Sequence, residues 1–412
     1  MPLAAKLVSS RHSLVPRDLE PMNAPDRPIY LDYNGTTPVA PEVLDAMLPF
    51  LREHFGNASS TTPLGRAARA AIEEARSEVA GLIGARPKEV IFTGGGTEAS
   101  NHAIRGFAAV AAADRRRIVT STVEHPATEM PCRRLEGEGF AVRRIGVDED
   151  GIIDLADARA AIDGGTALVT IIHAQNEIGT LEPVEELAEA ARAAGAPIHV
   201  DASQSLGKVP VDVAAWGIDA LTIAGHKLYA PKGIGALFLR SGHAIPSVLD
   251  GAGQEGGRRP GTENVPYIVG LGRACRIARE RLSEDATRIA ALKERLWQAL
   301  DAAVPGLRRL GGRHTLPNTL SVLFPGIIGN DLLDAAPAIA ASTGSACHAG
   351  SSQPSAIVLA LGVAPGPALG AVRLSLGRTS DAAQIDAAAT ALIEGYGRLA
   401  KGKEGVPDRQ RH

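Results

Sequence analysis

A histidine and a lysine follow a short apolar run in Ala224-Gly225-His226-Lys227. Earlier in the chain, a second apolar run ends at Asp201. A lysine on a turn can form a Schiff base with an aldehyde, and an aspartate at a strand end can hold a pyridine nitrogen protonated. Pyridoxal phosphate chemistry requires both, because the protonated ring serves as an electron sink. We therefore predict that Lys227 anchors this cofactor and that Asp201 pairs with its ring nitrogen.

A glycine-rich turn, Gly94-Gly95-Gly96-Thr97, follows another predicted strand and begins a predicted helix. Glycines let the backbone approach an anion closely, and a helix N-terminus offers free N–H groups and a favourable dipole. Gly96 and Thr97 are therefore candidates to bind a phosphate. The turn also matches the pattern G-x-G-x-x-A, with Asp114 about 20 residues further on, so a dinucleotide-binding oxidoreductase is an alternative at this point.

Three more polar residues stand just beyond predicted strands. His125 could stack on a pyridine ring and transfer protons near neutral pH. The amide of Asn176 could bind the phenolic oxygen of the cofactor and a substrate carboxylate. Gln204, three residues after Asp201, could reach the same phenolic oxygen from the other side. Together these residues predict a ring of polar groups at one edge of a sheet.

A cysteine lies among small residues in the segment 341–350. This residue, Cys347, is expected to be an accessible thiol, and the adjacent His348 could favour its thiolate form. Cys132 and Cys275 instead fit the usual pattern of buried structural cysteines. No further ligands stand at metal spacing around Cys347, so no metal site is predicted. Arg373, on a predicted strand, could bind a substrate carboxylate through both arms of its guanidinium.

Short apolar runs alternate with helical stretches between residues 89 and 240. Their continuous apolarity and β-branched content are typical of parallel strands covered on both faces. The pattern predicts an α/β domain with three layers. In such sheets the carboxyl ends of the strands converge on one crevice, so we expect the polar residues above to share one site. The predicted strands are 89–93, 117–120, 167–172, 197–201, 220–223 and 235–239.

The length of 412 residues predicts two or three domains. A long charged helix, Arg279–Ala303, marks a change of pattern after residue 272. We predict a large cofactor-binding domain over 38–272 and a small α+β domain made of 29–37 and 273–400, which carries the Cys347 segment. Residues 401–412 are expected to be a solvated tail. Residues 1–28 are expected to be a disordered extension, because their acidic residues are unusual for a transit peptide.

The composition limits the partners of the chain. A formal net charge of −3 and the lack of a long basic stripe argue against nucleic acid. No apolar run reaches the roughly 18 residues of a membrane span, so no membrane association is predicted. The three cysteines have no CxxC spacing and cannot form a disulfide framework, which favours a reducing, cytoplasmic location.

The chain resembles the cysteine desulfurases, a branch of the class V aminotransferases among the fold type I pyridoxal phosphate enzymes. This resemblance implies a mostly parallel seven-stranded sheet in the large domain. It covers residues 30 to 381 in an ordered series of motifs. The matching runs are Tyr30–Pro38, Phe55–Asn57, Gly96–Glu98, Glu124–His125, Asn176–Gly179, His199–Asp201, Gly225–Lys227, Arg259–Asn264, the Cys347 segment and the Arg373 strand.

The resemblance also implies roles for individual residues. Lys227 and Cys347 would be catalytic, together with His125, which would stack on the ring. The phosphate would be held by Gly96, Thr97 and His226, with Thr262 reaching in from the second subunit of a homodimer. The implied ligands of the cofactor are completed by Asn176, Asp201 and Gln204, and those of the substrate are Asn34, Asn176 and Arg373.

The implied reaction converts L-cysteine to L-alanine and leaves the sulfur on Cys347 as a persulfide, for delivery to a sulfur acceptor or an iron–sulfur scaffold protein. A selenocysteine lyase acting on L-selenocysteine and a class V aminotransferase are the alternatives. The family usually has a serine at the position of Ala224, so one phosphate contact is missing or replaced here. The Cys347 segment with Pro354 resembles the iron–sulfur branch, whereas His348 is also typical of selenocysteine lyases.

Overall fold

The computed structural model of the chain describes residues 27–344 and 353–404, and a large β-sheet is the centre of this part. The predicted extension and tail therefore lie mostly outside the described residues. The strands of the described residues are β1 (Ile29–Tyr30), β2 (Val90–Thr93), β3 (Arg117–Ser121), β4 (Ala141–Ile145), β5 (Thr166–Ile172), β6 (Ile198–Asp201), β7 (Ala220–Ala224), β8 (Gly235–Leu239), β9 (Arg308–Leu310), β10 (Thr319–Leu323), β11 (Ile339–Ala340) and β12 (Ala371–Ser375).

Helices connect these strands and cover them. The α-helices of the described residues are α1 (Pro41–Arg52), α2 (Pro63–Ile83), α3 (Gly96–Val110), α4 (Pro126–Gly137), α5 (Leu155–Ala161), α6 (Val184–Ala193), α7 (Val213–Trp216), α8 (Val265–Ala303), α9 (Gly329–Ala335), α10 (Ala356–Ala360), α11 (Pro365–Ala368) and α12 (Ala382–Glu404). None of these helices is both long and apolar enough to cross a membrane.

The large sheet has seven strands in the order β2-β8-β7-β6-β5-β3-β4. Every neighbouring pair is parallel except the two pairs that involve β8. All six runs predicted as strands belong to this sheet, and the predicted α/β class with a mostly parallel seven-stranded sheet is confirmed. The residue pattern missed β4, because this edge strand alternates exposed and partly buried residues instead of forming an apolar run.

The strands bury both of their faces, as continuous apolarity requires. Val90 and Phe92 of β2 belong to a core cluster with residues of α1, α2, α6 and α8. Ile91, between them, belongs to a second cluster with residues of α3 and α4. Alternate side chains of a strand point to opposite faces, so helices cover the sheet on two sides and the domain has three layers.

A smaller set of strands forms a separate core. Strands β12, β10 and β9 make an antiparallel sheet, and apolar residues of β10 and β12 pack with α8, α9 and α12. Strand β1 pairs in parallel with β11, and Leu31 joins this core. The N-terminal segment thus packs with residues from the C-terminal third of the chain.

Helix α8 runs through both cores. It begins at Val265, well before the predicted start at Arg279, and Asn264 caps it by accepting a hydrogen bond from the backbone of Tyr267. Leu271 packs into the core of the large sheet, whereas later residues of α8 pack into the smaller core. The boundary at 272/273 therefore falls within a continuous helix, and we keep the division 38–272 against 29–37 and 273–400 as a proposal. Helix α12 extends to Glu404, into the predicted tail.

Candidate active site

A cleft of about 380 Å³ opens at the carboxyl ends of β5, β6 and β7. Its volume is within the range of small-molecule sites, which is roughly 300–1,000 Å³. The strand ends therefore converge on one crevice, as expected for an open α/β sheet. The described residues predicted as site residues line this cleft, with the exception of Thr262; they are Asn34, Gly96, Thr97, His125, Asn176, Asp201, Gln204, His226, Lys227 and Arg373.

Lys227 ends the short 3-10 turn Gly225–Lys227 that follows β7. Its amine donates hydrogen bonds to the backbone carbonyl oxygens of Asn34 and Gly35, the latter at 2.7 Å. Burial lowers the pKa of Lys227 to about 8; the positive charge of Arg373 acts in the same direction, and nearby carboxylates oppose it. The neutral amine needed to attack an aldehyde is thus populated near neutral pH.

The N-terminal segment holds the turn that carries Lys227. Thr37 donates to the carbonyl oxygen of His226 from its backbone N at 2.9 Å and from its Oγ1 at 3.0 Å. The same Oγ1 accepts from the backbone N of Tyr229 at 2.9 Å. Tyr229 has a φ of 65°, which is uncommon for a bulky residue, so the surrounding contacts must maintain this conformation. The turn is therefore specified by its tertiary contacts.

Asp201 is the last residue of β6 and is only 3% exposed. Its Oδ1 accepts hydrogen bonds from the backbone N of Ser203 at 2.9 Å and from the Ser203 hydroxyl at 2.5 Å. These bonds fix the carboxylate in the wall of the cleft. Such a buried, hydrogen-bonded anion is suited to pair with a protonated ring nitrogen; this role of Asp201 stays a prediction.

His125 is the N-cap of α4, and its Nδ1 accepts a hydrogen bond from the backbone N of Ala127 at 3.1 Å. The neutral ring must therefore carry its proton on Nε2. Burial in the cleft lowers the pKa of His125; Asp201 opposes this effect and Lys227 adds to it. A neutral ring at the wall of the cleft is compatible with the predicted stacking on a cofactor.

The first turn of α3 carries the residues predicted to bind the phosphate. The N-cap, Gly95, has a φ of 151°, a conformation that favours glycine. A Cβ at Gly96 would lie 3.1 Å from both the Cβ of Ala224 and the Oγ of Ser203, so these residues form the side of the site. The free N–H groups of a helix start and its dipole attract an anion. His226 lies nearby in the cleft, and burial lowers its pKa to about 4, which leaves its ring neutral.

Arg373 lies on β12, is 6% exposed and already has a carboxylate partner. Its guanidinium forms an ion pair with Asp32, and its Nη1 donates to the carbonyl oxygen of Asn176 at 3.1 Å. Its Nε is buried and has no hydrogen-bond partner among the described residues. The Nε donor of Arg373 is thus unused within the described part of the protein.

Asn34 lines the cleft but uses its side-chain amide within the protein. Its Nδ2 donates to Thr319 Oγ1 at 2.8 Å and to the carbonyl oxygen of Asn176 at 3.1 Å. Its Oδ1 accepts from Asn318 at 3.0 Å and from Lys208 at 3.2 Å. Asn34 therefore joins the cofactor side of the cleft to β10 of the smaller sheet.

Two predicted residues do not lie in the described cleft. Thr262 is exposed and does not line it, so its predicted role in a second subunit stays a prediction. Cys347 lies outside the described residues, and its role also stays a prediction, although Ser342 and Gly344 just before it line the cleft. Asp114 is exposed and does not line the cleft. The acidic residue that the dinucleotide pattern requires after the glycine-rich turn is therefore not supplied to the cleft by Asp114.

Three further residues of the cleft region were not singled out from the sequence: Asp32, Ser203 and Lys208. Ser203 and Lys208 lie in the loop after β6, so the strand-end argument that selected Gln204 could also have found them. Asp32 lies in an N-terminal run without a long strand pattern of its own. Its pairing with Arg373 joins residues far apart in the chain, and nothing in the sequence indicated it.

Comparisons with known proteins agree with this geometry. The family model for aminotransferase class-V matches residues 29–388. A cysteine desulfurase of Trichormus azollae is 44% identical over 361 residues, covering 87% of this chain and 90% of its own. A solved NifS-like protein has a TM-score of 0.84 at 34% identity and covers 91% of this chain and 100% of its own. A structure of SspA in complex with cysteine has a TM-score of 0.76 at 35% identity, covering 84% and 98%.

These matches extend over both cores of the fold and are not confined to one motif. Enzymes of this class depend on pyridoxal phosphate, and the cleft offers what that group needs: an amine, a buried carboxylate and a helix start. The resemblance inferred from the sequence is confirmed, and the chain belongs to the cysteine desulfurase family of the class-V aminotransferases.

Proposed function

We propose that the chain converts L-cysteine to L-alanine and transfers the sulfur to Cys347 as a persulfide. The observation that carries the proposal is that Lys227 and Arg373 meet in one cleft whose wall also includes Ser342 and Gly344. The chain continues from Gly344 directly into the segment that contains Cys347. Membership of the family and a relative solved in complex with cysteine support this choice of substrate.

The donor set of the cleft fits pyridoxal phosphate. We assign the aldehyde to Lys227, the ring nitrogen to Asp201, and the phosphate to the first turn of α3 with His226. His125 is assigned to the ring face and Gln204 to the phenolic oxygen. When bound, the group supplies an electron sink for the negative charge that develops at the α-carbon of the substrate.

The substrate's carboxylate is assigned to Arg373, with Asn176 as a second donor. Arg373 has a buried Nε without a partner among the described residues, and guanidinium groups bind carboxylates in a bidentate manner. Asn34, whose amide is bonded within the protein, holds the carbonyl group of Asn176 in place. Lys227, with a pKa of about 8, is suited to take the proton from the α-carbon and to return it later.

Transfer of the sulfur is assigned to Cys347. Its thiolate attacks the sulfur of the substrate, a sulfur–sulfur bond forms and the bond between Cβ and sulfur breaks. The electron pair of the broken bond stays with carbon, which takes up a proton, so that the organic product is alanine. The protein keeps the sulfur as a persulfide, and no external oxidant or reductant is needed.

The first experiment is to record the absorption spectrum of the holoenzyme before and after L-cysteine, with alanine and sulfide measured in the same sample. We expect a visible cofactor band that shifts with cysteine, and release of both products in the presence of a thiol. Cys347→Ser should keep the cofactor band and lose sulfide release. Cys275→Ala is the matched control, because Cys275 is completely buried and its pKa is raised by burial. Full turnover by Cys347→Ser would overturn the assignment.

The same assay separates the alternatives. A selenocysteine lyase would turn over L-selenocysteine and discriminate strongly against L-cysteine. An aminotransferase would transfer the amino group to a keto acid such as pyruvate and would be insensitive to Cys347→Ser. A cofactor band that responds to cysteine without release of alanine would contradict the proposed reaction.

We also propose a homodimer in which Thr262 contributes to the phosphate site of the partner subunit. Thr262 is exposed, and large apolar side chains are also exposed between residues 39 and 64, in and around α1 and α2. An interface would cover such side chains. They are Val39, Leu44, Leu51, Phe55 and Leu64, and Phe55 is 73% exposed. Sedimentation should show that the wild type is a dimer and that Phe55→Glu weakens it. Thr262→Ala should lower the affinity for the cofactor without changing the mass of the dimer. A monomeric wild type would contradict the proposal.

The proposed sulfur acceptor is a partner protein, such as an iron–sulfur scaffold, and the proposed location is the cytoplasm. The Cys347 segment with Pro354, which resembles that of the iron–sulfur branch, supports the first proposal. The cysteine spacing supports the second. Radiolabelled sulfur from L-cysteine should move from Cys347 to a thiol protein in a cell extract. The Cys347→Ser variant should not label the thiol protein.

A further inference from the structure

A second lysine points into the protein beside Lys227. Lys208 lies in the loop after β6, and its Nζ donates to Gln204 Oε1 at 2.7 Å and to Asn34 Oδ1 at 3.2 Å. It forms no ion pair within the described part of the chain. Burial lowers its pKa well below the ordinary value, and the charges of Lys227 and Arg373 add to this effect. A lysine held at such a cost in free energy calls for a functional explanation.

The contacts of Lys208 determine the orientation of the Gln204 amide. Lys208 Nζ donates to Gln204 Oε1, so the amide oxygen of Gln204 faces the lysine. On the other side, Gln204 Nε2 donates to the backbone carbonyl oxygen of Asn34 at 2.9 Å, and a carbonyl can only accept. Both neighbours therefore require the same orientation. A flipped amide would place its NH₂ group against the ammonium and its oxygen against the carbonyl.

This orientation leaves a donor beside the cofactor anchor. The NH₂ group of Gln204 has two N–H bonds, and Asn34 uses one of them. Lys227 Nζ donates to the same Asn34 carbonyl oxygen, so the Gln204 amide and the Lys227 amine lie close together. In pyridoxal phosphate the phenolic oxygen is attached next to the carbon that carries the aldehyde. The remaining N–H of Gln204 is therefore available to that oxygen.

We propose that Lys208 is a positioning residue that fixes the amide of Gln204, so that an N–H of Gln204 is directed to the phenolic oxygen of the bound cofactor. This inference rests on the proposed attachment of pyridoxal phosphate to Lys227. It concerns how the protein tunes that linkage, and Lys208 acts through Gln204 without touching the cofactor.

The test is a pH titration of the visible absorbance of the holoenzyme, without substrate. An N–H that donates to the phenolic oxygen stabilises the negative charge of this oxygen and weakens its attraction for the proton of the Lys227 linkage. Losing this donor therefore raises the pH midpoint of the titration. For Lys208→Met we expect a rise of about one pH unit, the size expected for one hydrogen bond to a charged oxygen. The other charges that act on Lys227 remain in place in this variant; they belong to Asp32, Asp201 and Arg373.

Two further variants separate positioning from charge. Gln204→Leu should raise the midpoint to the same extent, and adding Lys208→Met to it should have no further effect. Lys208→Gln removes the charge but keeps a donor, so its midpoint should stay near that of the wild type. An unchanged midpoint in Lys208→Met, additive shifts in the double variant, or equal shifts in Lys208→Gln and Lys208→Met would each overturn the proposal.

Lys293 provides the matched control. It is a buried lysine, 6% exposed, whose Nζ donates to the carbonyl oxygen of Leu316 at 2.7 Å and does not contact Gln204. Lys293→Met should lower thermal stability and leave the midpoint unchanged, whereas an equal shift in this variant would overturn the proposal. Because the titration uses no substrate, it gives the same answer whether or not the chain acts on cysteine.

Discussion

The amine of Lys227 donates a hydrogen bond to the backbone carbonyl oxygen of Gly35 at 2.7 Å. The proposed anchor of the cofactor, on the turn after β7, is thus held by the N-terminal segment. That segment also carries Asp32, whose negative charge raises the pKa of Lys227 against the effect of burial. The reactivity of the amine therefore depends on contacts between the N-terminal segment and the turn after β7.

We expect apoenzyme to capture pyridoxal phosphate with a rate that increases with pH through about 8. With a pKa of about 8, about one amine in ten is neutral at pH 7, compared with about one in three thousand for an ordinary lysine. Stopped-flow absorbance at several pH values measures this rate. Lys227→Ala should show no covalent capture, while Lys232→Ala, which removes a nearby exposed lysine, should behave as the wild type. A midpoint above 10 would contradict the prediction.

Asp32→Asn should shift the midpoint of cofactor capture to lower pH by about one unit. The reason is that the Asp32 carboxylate raises the pKa of Lys227, and the variant removes this charge while Arg373 remains. Asp114→Asn is the control, because it removes the same charge from an exposed position outside the cleft. A shift to higher pH in Asp32→Asn would show that its charge does not act on Lys227 in this way.

Ala224→Ser should increase the affinity for pyridoxal phosphate about tenfold, the gain expected for one hydrogen bond to a charged group. Ala224 lines the cleft beside Gly96, so a hydroxyl there would face the phosphate site. Equilibrium dialysis of apoenzyme measures the dissociation constant. Ala127→Ser, on the His125 side of the cleft, should leave the dissociation constant unchanged. An unchanged affinity in Ala224→Ser would show that another group already donates to the phosphate at this position.

Glu124→Gln should reduce the loss of thermal stability between pH 6.5 and 8. Burial raises the pKa of Glu124 to about 8 from its ordinary value of 4.5. The folded state keeps a proton that the unfolded state releases, so this stabilisation is complete below about 4.5 and is lost as the pH rises to about 8. Calorimetry at several pH values measures the slope. Glu53→Gln, at an exposed position, should keep the wild-type slope, and an unchanged slope in Glu124→Gln would contradict the prediction.

The sequence alone determined the class of fold and the general position of the site. Six continuous apolar runs indicated strands buried on both faces, and every one of them lies in the large sheet. Parallel strands bring their carboxyl ends to one edge. For this reason Asp201, His125 and Lys227 could be placed in one cleft from local patterns alone. The edge strand β4 was missed because a strand with only one neighbour need not be apolar.

Only the tertiary structure decided how these residues are tuned. The ion pair of Asp32 with Arg373 and the contact of Lys227 with Gly35 join positions that are far apart in the chain. The orientation of the Gln204 amide depends on Lys208 and on a carbonyl group of the N-terminal segment. Local residue patterns do not show which distant residues come into contact or how far these groups are removed from water. The types of the catalytic groups were therefore readable from the sequence, whereas their partners and pKa values followed from the packing of the two cores around the cleft.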